Sequence, residues 1–77
     1  MLEGQVTGTV WATKKSPALR GLTFLTVQVQ GRALVCADCV GAGEGERVLV
    51  STGGAARVAA GANIPIDAAV VGILDQA

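Results

Sequence analysis

The residues of this sequence best suited to binding a metal or exchanging electrons are two cysteines three positions apart. Cys36 and Cys39 have the C-x-x-C spacing of a zinc half-site or a redox dithiol. A structural zinc site needs four ligands, and the sequence has no His and no further Cys. A metal or redox site would therefore have to be shared between subunits. The motif also falls at the end of a predicted strand, so we interpret both residues as small buried thiols and predict neither metal nor cofactor.

A glycine cluster, Gly41-Ala42-Gly43-Glu44-Gly45, superficially resembles a phosphate-binding loop. Such loops bind phosphate because a helix follows them and directs its amide groups at the anion. Here the following residues, 46–50, are predicted as a strand, and Glu44 and Glu46 would repel phosphate. The cluster is better explained by a turn that needs positive φ angles, or by close approach of another backbone, including that of a neighbouring subunit.

The acidic residues offer no general acid–base pair. They are spread along the chain and have no His to work with: Glu3, Asp38, Glu44, Glu46, Asp67 and Asp75. Asp38 and Asp67 are expected in turns, where they accept backbone hydrogen bonds. We therefore predict that the protein is not an enzyme.

Composition points to protein partners. The 77 residues predict one domain, 1–77, and 51% of them are hydrophobic, which is more than so small a monomer easily buries. The formal net charge is zero, Lys14-Lys15 is the one basic pair, and the only aromatic residues are one Trp and one Phe, so we predict no nucleic-acid binding. No apolar run reaches the roughly 20 residues of a membrane span and no signal peptide is visible, so we expect no membrane association and a cytoplasmic location.

Side-chain alternation with a period of two predicts most of the fold. In the second strand, for example, Leu25, Val27 and Val29 share one face. The predicted strands are residues 5–13, 22–29, 33–37, 47–51 and 68–74. Residues 55–60 have helix propensity instead, with Thr52 as a candidate N-cap and Gly61 at the end.

The last strand does not alternate. Residues 68–74 (AAVVGIL) would place apolar groups on both faces, whereas a small barrel buries only one. We interpret the second face as a subunit contact, although a helix of the same chain could also cover it. Five short strands and one short helix predict an all-β fold, a small five-stranded OB-like β-barrel.

Three ordered segments resemble the EutN/CcmL family over nearly the whole chain. Residues 8–14 (GTVWATK) resemble its opening strand, residues 38–50 (DCVGAGEGERVLV) its central glycine motif, and residues 64–75 (IPIDAAVVGILD) its closing strand. The family's G-S-S-A-R is represented by residues 53–57 (GGAAR), which lack both hydroxyls. The stretch between the second and third strands, residues 28–32, is also shorter than in many relatives.

The resemblance implies a pentameric vertex protein of a bacterial microcompartment shell, with hexameric and pseudohexameric shell proteins as partners. The type of compartment and its cargo enzymes are not encoded in the chain. Combining the resemblance with the apolar last strand, we predict that the subunit interface or pore includes Gly41, Ala42, Gly43, Gly45, Gly53, Gly54, Arg57, Asp67, Ala69, Val71 and Ile73. The alternative is an OB-like module that binds a small ligand or an oligonucleotide.

Overall fold

A computed structural model describes residues 1–75, and within that range five strands form a closed barrel in the order β1-β2-β3-β5-β4. A 3-10 turn, Pro17–Leu19, lies between the first two strands, and a short helix, α1, lies between the last two. The elements are β1 (Leu2–Val10), β2 (Phe24–Val29), β3 (Arg32–Asp38), β4 (Arg47–Thr52), α1 (Gly54–Ala60) and β5 (Ala68–Ile73). The fold predicted from the alternation pattern is therefore confirmed.

The barrel interior is filled by small and branched apolar side chains from all five strands. Leu25, Val27 and Val29 point inward, as the alternation of β2 predicts. The buried cluster consists of Val6, Leu25, Val27, Val29, Cys36, Val48, Val50, Ala68 and Val70. Such residues suit a barrel of five strands, whose interior is only wide enough for side chains.

The barrel closes through a short parallel pairing between β3 and β5. Two residue pairs form it, Ala37 with Ala69 and Asp38 with Val70. Because this pairing is confined to the end of β3, the first half of the strand has no β5 residue opposite it. That half of β3 is consequently an open sheet edge, a feature that invites pairing with another chain.

Helix α1 covers the outer face of β5. Ala56 on the helix and Ala69 on β5 are both fully buried, in a second cluster that also contains Ala37 and Ile66. Of the two explanations for the doubly apolar last strand, cover by a helix of the same chain thus holds at Ala69. With seven residues, this helix is the longest of the part of the chain described, and it is too short to cross a membrane.

The bounds of β1 and the N-cap of α1 depart most from the sequence-based prediction, and the other strands differ from it by two residues or fewer at each end. Alternation predicts the first strand at residues 5–13, but it begins at Leu2 and ends at Val10, opposite Phe24, where its β2 partner begins. Helix α1 has Gly53 at its N-cap position with φ at 63° and no side-chain cap, so Thr52 is not the cap and is instead the last residue of β4. Gly61 ends the helix as predicted and donates its N–H to the Arg57 carbonyl.

Candidate assembly surfaces

The glycine loop, residues 39–46, connects β3 to β4 and is fixed by a carboxylate that precedes it. Oδ1 of Asp38 accepts hydrogen bonds from the amides of Val40, Gly41 and Ala42 at 3.0–3.3 Å, and Oδ2 accepts a second one from Ala42 at 3.0 Å. Ala42 in turn packs against the barrel core. The predicted role of Asp38 in accepting backbone hydrogen bonds is confirmed.

Hydrogen bonds to the chain's own oxygens also hold the second half of the glycine loop. The Gly43 amide donates to Oε1 of Glu46 at 2.6 Å, and the Gly45 amide donates to the Val6 carbonyl at 2.8 Å. Gly41 and Gly45 adopt positive φ angles of 79° and 89°, which glycine allows without strain. Since the chain's own oxygens accept from these amides, the loop has the structural role that the sequence indicates, rather than that of a phosphate cradle.

The two cysteines lie in different environments. Cys36 is fully buried inside the barrel, and burial, followed by the negative charge of Asp67, raises its thiol pKa to about 11. Cys39 is exposed, so the prediction that both thiols are buried is wrong for it. Partial desolvation of its sulfur, and then the charge of Asp38, also raise the Cys39 pKa. Among residues 1–75, no group of three or more His, Cys, Asp or Glu side chains is arranged to hold a metal.

A groove of about 590 Å³ lies beside the open edge of β3. Thr52 and Gly53 form part of its wall, and the Gly53 amide donates to the backbone carbonyl of Asp67 at 2.8 Å. Arg32 and Asp67 also line it, so its walls carry one charge of each sign. Gly54 begins α1 at this end of the barrel, and Arg57 follows on an exposed position of the last helical turn.

The residues singled out from the sequence therefore fall into two separate groups. Gly41, Ala42, Gly43 and Gly45 lie on the glycine loop, which contacts the first strand at Val6 and precedes β4. Gly53, Gly54, Arg57 and Asp67 lie at the groove and the start of α1. Strand β5 runs from the second group towards the first over about 17 Å.

The three predicted residues of β5 differ in accessibility. Ala69 is fully buried within the chain and is not available to a neighbour. Val71 is partly buried against the cluster beneath α1, whereas Ile73 is 42% exposed.

Sequence reasoning did not select five further exposed large apolar side chains, those of Met1, Trp11, Val35, Val40 and Val58. Trp11 is 88% exposed, one residue beyond the end of β1, and Val35 lies on the open edge strand β3. Trp11 could have been selected from the sequence, because the period-two alternation places it on the face opposite Val6 and Val10. Large apolar groups left in water at such positions are typical of contact surfaces.

Comparison with known proteins identifies the same family over residues 1–75, the family described as ethanolamine utilisation protein EutN/carboxysome. The chain is 48% identical to the carboxysome shell vertex protein CcmL of Thermosynechococcus vestitus, in an alignment that covers 92% of this chain and 80% of the relative. It is 45% identical to the bacterial microcompartment shell vertex protein GrpN of Rhodospirillum rubrum, over 97% of this chain and 93% of the relative.

A solved structure of the Rhodospirillum protein, described as the GrpN pentameric microcompartment shell protein, superposes on this fold with a TM-score of 0.88. The superposition covers 99% of this chain and 96% of the relative, with 43% sequence identity. The likeness therefore extends to the whole barrel, the helix and the loops between them.

Proposed function

The chain belongs to the EutN/CcmL family, and we infer that it is a structural subunit of a bacterial microcompartment shell, placed at the vertices as a pentamer. Its role is to close the polyhedral shell around the enzymes inside. The single observation that carries this function is the match of fold and sequence, over almost the full chain, to a pentameric shell protein. The relatives support this role rather than that of an OB-like ligand-binding or oligonucleotide-binding module.

The geometry of the chain suits a ring. A closed ring of identical subunits uses a heterologous interface, in which one surface of each copy meets a different surface of the next. The glycine loop and the groove are two such surfaces, and they lie on different parts of one small domain. A layer of hexagonal tiles is flat, and five-fold rings supply the curvature that closes it.

We also propose what the ring contacts and where it works. The partners are hexameric and pseudohexameric tiles of the same shell, and the ring works within a shell in the cytoplasm, with no membrane or nucleic acid bound. The chain itself catalyses no reaction and provides geometry alone. Its subunit contacts include the glycine loop residues and, at the groove, Gly53, Gly54, Arg57 and Asp67, together with Ile73 on β5.

Native mass spectrometry of the purified chain tests the assembly directly. We expect particles of five copies, and a stable monomer at micromolar concentration would contradict the proposal. Co-expression with a hexameric tile then tests the role at the vertex. Electron microscopy should show closed polyhedra when the chain is present and open sheets or tubes when it is left out, and closed shells in both cases would argue against a vertex role.

A further inference from the structure

The connection between β1 and β2, residues 11–23, carries three positive charges and no carboxylate of its own. Lys14, Lys15 and Arg20 are all exposed, and no Asp or Glu occurs between Gly4 and Ala37. We call residues 11–23 the basic loop. It starts with Trp11, whose side chain is almost wholly in water. The loop therefore presents a large apolar group beside a set of cations.

The basic loop is ordered by its own contacts. Ser16 accepts hydrogen bonds from Ala18 through its hydroxyl and from Leu19 through its carbonyl. The Leu19 side chain packs against the cluster beneath α1, and the Asp38 amide donates to the Thr23 carbonyl at 2.8 Å. A loop held in this way loses little conformational entropy when it binds, which favours its use as a docking element.

A surface of opposite charge surrounds the start of β4. Glu3 lies 3.6 Å from Arg47, and the Arg47 carbonyl accepts the Leu74 amide, which brings the following residue, Asp75, to the same place. Glu44 and Glu46 precede Arg47 in the glycine loop. Ile73, the exposed apolar residue of β5, belongs to this region as well. We call this surface the acidic face, formed by Glu3, Glu44, Glu46, Ile73 and Asp75.

Within one chain these two surfaces do not neutralise each other. Among residues 1–75 one ion pair forms, between Glu3 and Arg47. In the same range Lys14, Lys15 and Arg20 have no carboxylate oxygen within 4.0 Å. In the acidic face Arg47 offsets the charge of Glu3, so its uncompensated carboxylates are Glu44, Glu46 and Asp75. Each surface also keeps its exposed apolar side chain. Their composition matches, because one combines cations with Trp11 and the other combines carboxylates with Ile73.

We propose that the basic loop of one copy docks on the acidic face of the next copy around the ring. The proposal deepens the pentameric function and rests on it. Trp11 covers Ile73 of the neighbouring copy, while the lysines approach Glu44 and Asp75 of that copy. The contact is heterologous, as ring closure requires, and charge complementarity selects a second copy of this chain as the occupant.

A single charge reversal with a control variant tests this contact. The variants are Lys15→Glu in the basic loop and Ala59→Glu on α1, which adds a carboxylate at an exposed position outside the basic loop, the acidic face and the groove. Pentamer and dissociated chain are measured by sedimentation during dilution at low salt. We expect Lys15→Glu to raise the concentration at half dissociation by about tenfold or more, and Ala59→Glu to change it by less than about threefold.

A rescue variant distinguishes a contact from a general loss of structure. Lys15→Glu combined with Glu44→Lys exchanges the two charges, and we expect it to regain most of the lost assembly, with an unchanged far-UV circular dichroism spectrum. If Lys15→Glu assembles like Ala59→Glu, or if the exchange restores nothing, the proposed contact is wrong. A pentameric wild type with unaffected variants overturns the contact alone, whereas a monomeric wild type overturns the vertex function itself. Variants that keep the ring but lose binding to hexameric tiles would assign the basic loop to the tile instead, which also overturns the proposal.

Discussion

The Gly41 amide donates a hydrogen bond of 3.0 Å to Oδ1 of Asp38, so the carboxylate at the end of β3 holds the turn that follows it. The same oxygen accepts from the amides of Val40 and Ala42. The loop has two glycines at positive φ and no helix or ladder of its own. Its shape therefore depends on this one side chain more than on its local sequence preferences.

Replacing Asp38 with Ala should destabilise the folded chain by about 1–3 kcal/mol, since hydrogen bonds to a charged acceptor are lost and several amides lose their partner. Asp38→Asn keeps one carbonyl oxygen in place and should cost less. The measurement is urea unfolding at one protein concentration, in about 0.5 M NaCl so that charge effects on assembly are screened. The control is Glu44→Ala, an exposed carboxylate of the same loop. Equal unfolding midpoints for Asp38→Ala and this control would contradict the assigned role.

Gly4 should tolerate no side chain. A Cβ atom there would lie 2.6 Å from the Gln28 carbonyl oxygen and 2.7 Å from methyl groups of Val27 and Val29. Gly4→Ala should therefore cost about 3 kcal/mol or prevent folding, because the barrel interior is already filled. Gly8 on the same strand is the matched control, since a Cβ atom added there would meet nothing within 4 Å. Gly8→Ala should change stability by less than about 0.5 kcal/mol, and similar thermal unfolding of the two variants would disprove the packing argument.

Much of this architecture could be predicted from the sequence because it follows from local patterns. The alternation in β2 places Leu25, Val27 and Val29 inside, and Gly61 ends the helix where a glycine would be expected. The first strand is predicted too far along the chain because alternation continues through Thr13. Alternation reports which way side chains would point, whereas a strand also needs a partner, and the pairing with β2 ends at Val10.

The features that sequence reasoning left open or missed depend on how separate parts of the chain come together. Ala69 is covered by Ala56 because α1 folds back over β5, which no local pattern encodes. The groove exists because β3 and β5 pair at only two positions. Cys39 is exposed although Cys36 is buried, because β3 ends at Asp38 between them. Each outcome depends on which segments pair or pack together in the folded chain, and a single sequence does not reveal this.

Cys36 should be inert to thiol reagents in the folded chain. Its pKa is raised from 9.0 to about 11 and it is buried, so near pH 8 it is protonated and inaccessible. An aromatic disulfide reagent should modify one thiol per native chain, Cys39, and both thiols in urea. Cys39→Ala is the control and should abolish the native reaction. Two thiols reacting at equal rates in the native protein would contradict the burial of Cys36.

The raised pKa of Cys36 also predicts how the free energy of unfolding changes at alkaline pH. A raised pKa means that folding favours the neutral thiol, so the contribution of Cys36 is complete below its ordinary pKa of 9.0 and is lost as the pH rises towards about 11. Unfolding midpoints in urea should therefore fall across this window. Cys36→Ala should start from a lower midpoint, because it removes buried atoms, but should show a weaker fall. An identical slope in both proteins would exclude Cys36 as its source.

Substitutions at Val71 and Ile73 should distinguish an effect on folding from an effect on assembly. Val71 packs partly against the cluster beneath α1, whereas Ile73 is largely in water within one chain. Val71→Ser should therefore cost about 1–2 kcal/mol of folding free energy and weaken the ring only as the fold weakens. Ile73→Ser removes a similar apolar group from the acidic face, so it should produce a folded chain that dissociates at higher concentration than the wild type. Circular dichroism and sedimentation at matched concentrations check both variants. Only a side chain that its own fold leaves exposed can become buried against a neighbour. A folded monomer from Val71→Ser, or a pentamer as stable as the wild type from Ile73→Ser, would therefore reverse the assignment of these two positions.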